Sequence, residues 1–134
     1  MIVVDTSVWI DYLNDLATEQ TEQVDLLLES EHLVGLAGPI LTEVLLGFSD
    51  EQEVRGVSKQ LLALPVLELD VIAGHIRAAS IYRAARARGV TPRSTIDLLI
   101  AATCIEHDAW LLHNDRDFDH LAACSELKIW RPAA

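Results

Sequence analysis

The sequence predicts an α/β protein, a three-layer α/β/α sandwich around a mainly parallel sheet of about five strands. Short apolar β-rich runs alternate with longer runs of helical spacing, which is the pattern of a parallel sheet covered by helices on both faces. The 134 residues are 51% hydrophobic, which suits one ordinary domain with one core. No linker, internal repeat or low-complexity tract interrupts the chain, so we expect a single domain over residues 1–134.

Five short apolar runs predict strands at residues 2–4, 33–37, 66–69, 109–113 and 127–130. Five runs of helical spacing predict helices at residues 18–30, 39–48, 50–62, 71–88 and 95–107. Pro39 suits the first turn of a helix, Asp70 can cap the helix that follows it, and Gly89 stands where a left-handed C-terminal residue is expected. Local start and stop signals therefore agree with the apolar pattern.

Charge limits the possible functions. The formal net charge is −11, which argues against broad electrostatic capture of nucleic acid, because phosphate binding usually requires a basic surface. Five of the ten Lys and Arg residues nevertheless lie between positions 77 and 93, so a local basic edge stays open. We interpret four of these arginines as the solvated face of a long helix and Arg93 as the one best placed to meet a phosphate. The four are Arg77, Arg83, Arg86 and Arg88.

Location and redox chemistry are also constrained by the sequence. No apolar run reaches the roughly 20 residues that span a bilayer, and the start MIVVDTS meets an acid after four residues, so we expect no membrane segment and no signal peptide. Cys104 and Cys124 lack metal-site spacing, which disfavours a disulfide framework or a zinc site. We predict a cytoplasmic protein.

Two acids directly follow predicted strands. Asp5 comes after Ile2-Val3-Val4, and Asp115 comes after the strand that ends near His113. Ligands of open α/β sheets bind at the carboxyl ends of the strands, so both acids are candidates for a site. An alternative stays open for Asp5, because an Asp before Thr-Ser and an apolar helix is also a common helix cap.

Two other acids stand in apolar surroundings. Glu43, in GPILTEVLLGF, shares a predicted helical face with Ile40, Val44 and Gly47, so we expect it to point inward. Asp97 is the single charge in the apolar run IDLLIAATCI, which is typical of a buried helix. Structural alternatives remain for both acids: the helix dipole favours an early Glu, and Ser94 to Asp97 fits a capping box.

The predicted fold can bring these four acids to one edge of the sheet. Carboxylates a few ångströms apart repel each other, so some must be protonated or a cation must neutralise the group. Carboxylates without His or Cys select hard cations such as Mg²⁺ or Mn²⁺. Such ions can activate water and stabilise an in-line displacement at phosphorus. The acids therefore predict metal ligation.

Four segments together resemble a known family. They are IVVDTSVWIDYL, GPILTEVLLGF, STIDLLIAATCIEHDAWLLHNDRDF and LKIW, in this order from residue 2 to about residue 131. This combination resembles a PIN domain of the VapC toxin type. The resemblance implies a metal-dependent endoribonuclease, in which Asp5, Glu43, Asp97 and Asp115 match the acidic positions of the family. It further implies an antitoxin partner, a homodimer and a hetero-oligomer with the antitoxin.

The matching residues take roles from this resemblance. Asp5, Asp97 and Asp115 would ligate Mg²⁺ or Mn²⁺ directly or through water, and Glu43 would ligate the ion or position the attacking water. Thr6 would hydrogen-bond a carboxylate or a substrate oxygen. An Arg or Lys of a cationic antitoxin segment could occupy the same acidic region.

Residues beside the matched acids receive weaker interpretations. Asp117 is a secondary candidate for the site. Asn114 is a candidate to contact the side chains that ligate the metal, although a role as a turn residue after the strand is an equal alternative. We interpret Asp119 as solvated helix surface and His113 as structural. Trp9, Trp110 and Trp130 are interpreted as packing residues.

Two other classes of function are weighed against the nuclease. A non-catalytic PIN-like interaction module is disfavoured because all four acids are present. A phosphatase of the DxD type would need a second Asp after Asp5-Thr6, and a receiver domain would need a Lys after a late strand; the sequence has neither.

Overall fold

The structure is a computed structural model that describes residues 1–30 and 33–131. Its strands are β1 (Ile2–Val4), β2 (Val34–Ala37), β3 (Val66–Leu67), β4 (Trp110–Leu112) and β5 (Lys128–Ile129). Its helices are α1 (Thr6–Leu13), α2 (Glu19–Glu29), α3 (Gly38–Leu45), α4 (Glu51–Leu61), α5 (Ala73–Ala87), α6 (Thr95–Glu106) and α7 (Arg116–Ala123). The five predicted strands and the α/β/α class are confirmed. Residues 31, 32 and 132–134 of the predicted single domain lie outside the described part.

All strand pairs within the described residues are parallel, in the order β3-β2-β1-β4-β5. Strand β1 is central, with Ile2 opposite Val34 on one side and Val4 opposite Leu112 on the other. The chain runs outward from β1 in one direction through β2 and β3, and in the other through β4 and β5. The carboxyl ends of β1 and β4 therefore flank a topological switch point, where open α/β sheets bind their ligands.

Helix α6 forms the centre of one helical layer. Its residues Ile100, Ala101, Ala102 and Cys104 have no solvent exposure, as predicted from a run that is apolar nearly all round. The small alanines allow close packing against α5, whose buried face includes Ala78. This packing leaves the first turn of α6 at the edge of the core, next to the carboxyl ends of the strands.

Two helices are absent from the sequence prediction, α1 and α7. Each has eight residues, about two turns, and lacks the start signal that Pro39 gives to the equally short α3, so its helical period alone is too weak to identify it. In the structure both helices pack on the core: α1 buries Val8 and Trp9, and α7 buries Phe118 and Leu121. Both begin directly after a strand that ends at the site, so they bring their first turns to it.

The predicted end signals are largely confirmed. Pro39 lies in the first turn of α3, and Gly89 has a φ of +80° after α5. Helix α5 begins at Ala73, two residues later than predicted, and Oδ1 of Asp70 accepts hydrogen bonds from the amides of Ile72 and Ala73. Within the described residues, no helix has the length and apolar character needed to cross a bilayer.

Candidate metal centre

Asp5 extends the β-ladder and caps the following helix at the same time. Its amide donates to the carbonyl of Leu112 at 2.9 Å, which places it beside the end of β4. Its Oδ2 accepts from the Ser7 hydroxyl at 2.8 Å and from the Ser7 amide at 3.4 Å. The helix-cap interpretation is thus confirmed. The residue is 5% exposed, and burial raises its pKa above the usual range, although the bonds from Ser7 and the backbone oppose this shift.

Glu43 lies on α3, on the side of that helix that faces α1. Oε1 of Glu43 accepts a hydrogen bond from the Thr6 hydroxyl at 2.8 Å, and its side chain is half-buried beside the fully buried Ile40 and Val44. The predicted inward position is therefore confirmed, with one correction. Gly47 is exposed, because α3 ends at Leu45 and no longer holds position 47 on the buried face.

Asp97 stands in the first turn of α6. The Ser94 side chain accepts from the Asp97 amide at 3.4 Å, which is one half of the predicted capping box, and the carboxylate of Asp97 remains half-buried. Desolvation, followed by the charges of neighbouring acids, raises the pKa of Asp97 to about 7. These neighbours are Asp5, Asp115, Glu43 and Asp117. The four predicted acids therefore share one electrostatic environment.

Among the described residues, the carboxylates of Asp97, Asp115 and Asp117 lie close enough together to share one metal ion. One oxygen from each lies within 4.8 Å of the others. Asp115 caps α7, and its Oδ1 accepts from the Asp117 amide at 2.9 Å. This group includes Asp117, which the sequence analysis gave only as a secondary candidate. It does not include Asp5 or Glu43. Asp117 lies in the first turn of α7, on the same side of that helix as the cap residue Asp115.

Arg93 lies at the rim of this group. Its guanidinium donates to Oδ2 of Asp117 at 2.8 Å, and its side chain is 78% exposed. The predicted position of a cation beside the Asp97 helix is thus observed. Asn114 is exposed and its amide donates to Asp11 on α1 at 3.2 Å, so its hydrogen bond goes to a residue outside the predicted site.

Other interpreted residues have clear places in the structure. Asp119 lies on the surface of α7 with a side chain that is 40% exposed, as predicted. It also makes contacts that were not predicted: its Oδ1 lies 3.2 Å from Nε2 of His113 and accepts from Arg131 at 3.0 Å. The chain folds the segment after β5 back over α7, which no local pattern encodes. The arginines of the predicted solvated face are all exposed, as expected; they are Arg77, Arg83, Arg86 and Arg88.

The tryptophans make ring contacts, as expected of packing residues, although Trp110 is 39% exposed. Trp9 is buried in the core and contacts Tyr12 edge-on at 5.9 Å between ring centroids. Trp110 contacts Trp130 in the same manner at 6.1 Å. Lys128 lies over the Trp110 ring, 4.8 Å from its centroid.

A cavity of about 720 Å³ lies between α1, α2 and α4 and includes none of the predicted site residues. Its walls combine apolar side chains with four acids. The apolar side chains include Leu13, Leu16, Phe48 and Val57, and the acids are Asp15, Glu22, Asp25 and Glu53. We call this feature the acidic groove.

Carboxylates converge at the switch point of the parallel sheet, with an arginine at their rim. These features define the class of α/β/α domains with an acidic site at the carboxyl ends of the strands. The chain belongs to the PIN domain family, whose model matches residues 2–123. It is 37% identical to ribonuclease VapC11 of Mycobacterium tuberculosis over 129 residues, which is 96% of each chain.

Solved structures share the fold. The VapBC2 complex of Rickettsia felis, bound to a promoter DNA fragment, contains a chain that aligns with a TM-score of 0.76 at 17% identity, covering 97% of this chain and 98% of that one. VapBC-1 of nontypeable Haemophilus influenzae aligns with a TM-score of 0.75 at 18% identity, covering 97% of both.

Proposed function

We propose that this chain is a metal-dependent endoribonuclease, the toxin of a toxin–antitoxin pair, which hydrolyses phosphodiester bonds in RNA. The observation that carries the proposal is the convergence of Asp97, Asp115 and Asp117 within 4.8 Å at the edge where β1 and β4 end. The full-length similarity to a VapC ribonuclease supports RNA as the substrate. The proposal includes a cytoplasmic location, where RNA is accessible.

The donor set fits a divalent cation. Three carboxylates this close repel each other, and the raised pKa of Asp97 reflects burial first and then repulsion by the neighbouring acids, Asp5 among them. Oxygen ligands without nearby thiolates suit Mg²⁺ or Mn²⁺. We assign Asp97 and Asp115 as ligands with Asp117 beside them, and Asp5 and Glu43 as the acids that complete the negative site.

The bound ion would supply Lewis-acid catalysis and charge neutralisation at phosphorus. The protein contributes side chains that are held in fixed positions around the ion. Asp5 is held by Ser7, and Glu43 is held by Thr6, so neither carboxylate rotates freely. Glu43 is the acid best suited to orient an attacking water, because it lies outside the tight group of three and retains a second carboxylate oxygen beyond its bond to Thr6.

Arg93 is assigned to substrate binding. Its exposed guanidinium stands beside the acids, where an RNA phosphate would replace Asp117 as its partner through charge-assisted hydrogen bonds. One local cation at the site reconciles phosphate binding with a net charge of −11. Asn114 is retained as a weaker substrate contact because of its exposure.

Chelation tests the metal requirement. Purified protein should cut single-stranded or loop RNA with Mg²⁺ or Mn²⁺ and stop when EDTA is added. Glu43→Gln should lose activity, whereas Glu51→Gln, at an exposed position of α4, should keep it. Cleavage that continues in EDTA would contradict the proposal. A non-catalytic interaction module would cut under neither condition, and the intact set of acids disfavours that alternative.

The proposed partners are an antitoxin and a second copy of this chain. The solved neighbours are VapBC complexes, and the acidic groove offers apolar walls with four acids, which suits a cationic amphipathic antitoxin segment. An Arg or Lys of the same antitoxin could reach the metal-site acids. The homodimer remains a prediction that light scattering of the purified toxin and of its antitoxin complex can check.

A further inference from the structure

His113 links the end of β4 to the start of α7 through both of its ring nitrogens. The amide of Asp115 donates to Nδ1 at 2.9 Å, and Nε2 lies 3.2 Å from Oδ1 of Asp119. The side chain is 5% exposed, and its ring packs 5.4 Å from the Phe118 ring between centroids. A buried imidazole with a partner on each nitrogen is fixed in position and in orientation.

The two partners of His113 select one tautomer. A neutral imidazole has one N–H donor and one acceptor nitrogen. Nδ1 accepts from the Asp115 amide, so the ring proton lies on Nε2 and is donated to Asp119. Arg131 donates to the same Oδ1 of Asp119 at 3.0 Å, which holds that carboxylate in front of the ring. The chain of contacts thus runs from Arg131 through Asp119 and His113 to the backbone of Asp115.

We infer that His113 is a positioning residue for the metal site, which it serves by holding the backbone of Asp115. The inference rests on the proposed function, because it assigns His113 to a site whose ligands include Asp115. The Asp115 carboxylate is oriented from the other side by the Asp117 amide, so the ring and the first turn of α7 together determine where its oxygens lie. Removing partners that orient metal ligands typically weakens metal binding by about 10- to 100-fold.

Two amide variants separate the nitrogens of the ring. His113→Asn keeps an acceptor close to the position of Nδ1 but does not extend to Asp119. His113→Gln places an amide donor close to the position of Nε2 but has no acceptor for the Asp115 amide. Calorimetric titration of the full chain with Mn²⁺ should give a Kd raised about 10- to 100-fold for His113→Gln. The Kd for His113→Asn should stay close to that of the wild type.

Melting temperatures in EDTA separate positioning from packing. If His113 only fills the core, both variants melt lower and bind Mn²⁺ with the wild-type Kd, which would overturn the inference. Equal weakening of Mn²⁺ binding in both variants would also overturn it, because the role of Nδ1 would then be absent. A wild-type protein that binds no Mn²⁺ would instead refute the proposed metal site itself.

Asp119 provides a second route if His113→Gln does not fold. Asp119→Ala removes the acceptor that keeps the proton on Nε2. The imidazole, unlike the amide of His113→Asn, can then carry its proton on Nδ1 and lose the acceptor for the Asp115 amide, so the Kd for Mn²⁺ should rise. Asp119→Asn keeps an acceptor oxygen and controls for the lost charge, so its Kd should rise less. An unchanged Kd in Asp119→Ala would contradict the role of this contact chain.

Discussion

At the residue scale, Asp97 combines an ordinary cap position with an unusual charge environment. The Asp97 amide donates a hydrogen bond to the Ser94 side chain. The Asp97 carboxylate is half-buried among other acids, and burial together with those charges raises its pKa to about 7. A structural cap alone needs no such surroundings. The cap and the site are therefore compatible, and substitutions can measure each of them separately.

Asp97→Asn should leave the metal-free protein equally stable or more stable, because it removes a repelled charge and Asn still suits the helix start. Mn²⁺ binding should raise the free energy of unfolding of the wild type by roughly 2.7 kcal/mol at a Mn²⁺ concentration of 100 times Kd. We call this gain the Mn²⁺ increment; in the variant it should be smaller, and RNA cleavage should fall sharply. Melting temperatures in EDTA and in Mn²⁺ check this, with Glu51→Gln as the control. A variant that melts lower in EDTA, keeps the full increment and still cuts RNA would leave Asp97 as a cap alone.

The same residue predicts a pH dependence. The pKa of about 7 in the folded state lies above the ordinary value of 3.8, so between these values the folded state binds more protons than the unfolded state. The free energy of unfolding without metal should therefore fall as pH rises from about 4 to about 7, by on the order of 1 kcal/mol per pH unit at most. Mn²⁺ binding should tighten over the same range. Urea titrations of wild type and Asp97→Asn check the slope, which should be smaller in the variant, where Asp5 still contributes through its own raised pKa.

Thr6 is a second residue whose role is testable. Thr6→Val removes the hydroxyl that bonds Glu43 at 2.8 Å, which should cost roughly 1 kcal/mol of stability and reduce cleavage by about 10-fold or more. Thr6→Ser retains the donor and serves as the matched control. Cleavage rates at saturating Mn²⁺ check the comparison, and equal activity of the Val and Ser variants would remove Thr6 from the site.

At the element scale, α7 explains why acids concentrate after β4. Asp115 caps the helix, and Asp117 and Asp119 lie in its first turn, where the helix dipole favours negative charge. The dipole offsets part of the repulsion that the carboxylates of the site experience. An eight-residue helix and its cap thus carry two acids of the proposed metal site and a partner for His113.

Two substitutions of Asp115 separate cap and ligand. Asp115→Asn keeps the cap, so its metal-free stability should match or exceed that of the wild type. Asp115→Ala should be about 1 kcal/mol less stable than the Asn variant, because it leaves the Asp117 amide without its acceptor. Both should lose most of the Mn²⁺ increment in melting temperature. An Asn variant with the full increment would exclude Asp115 as a ligand.

At the scale of the whole molecule, two separate regions concentrate acidic side chains: the candidate metal site and the acidic groove. The net charge of −11 favours association with a cationic antitoxin and makes the association sensitive to salt. One protein partner could thus engage both regions at once. RNA, under the proposed function, would instead bind at the local cation Arg93.

Charge reversal in the groove tests the partner. Glu53→Lys changes a residue that lines the groove, whereas Glu51→Lys changes an exposed residue of the same helix outside it. Glu53→Lys should weaken binding of the cognate antitoxin by several-fold more than Glu51→Lys, chiefly through a slower association rate at low salt. Surface plasmon resonance with the purified antitoxin checks this. Equal effects of the two variants would place the antitoxin elsewhere.

Local patterns in the sequence were sufficient for the strands, the longer helices and the main acids. Apolar runs identify buried strands, an acid that directly follows one lies at a strand end, and Asp97 stands out because the run around it is otherwise uncharged. These features depend on residues close together along the chain. The helix cap at Asp5, kept as an alternative, also follows from such a local pattern.

Only the tertiary structure decided which of these groups meet. The strand order β3-β2-β1-β4-β5 brings Asp5 beside the end of β4, and the start of α7 brings Asp117, rather than Asp5 or Glu43, into the closest group with Asp97. The contacts of His113 and Arg131 with Asp119 follow from the same packing. Such contacts join residues from separate elements, and their distances depend on how strands order and helices pack, which no local periodicity specifies.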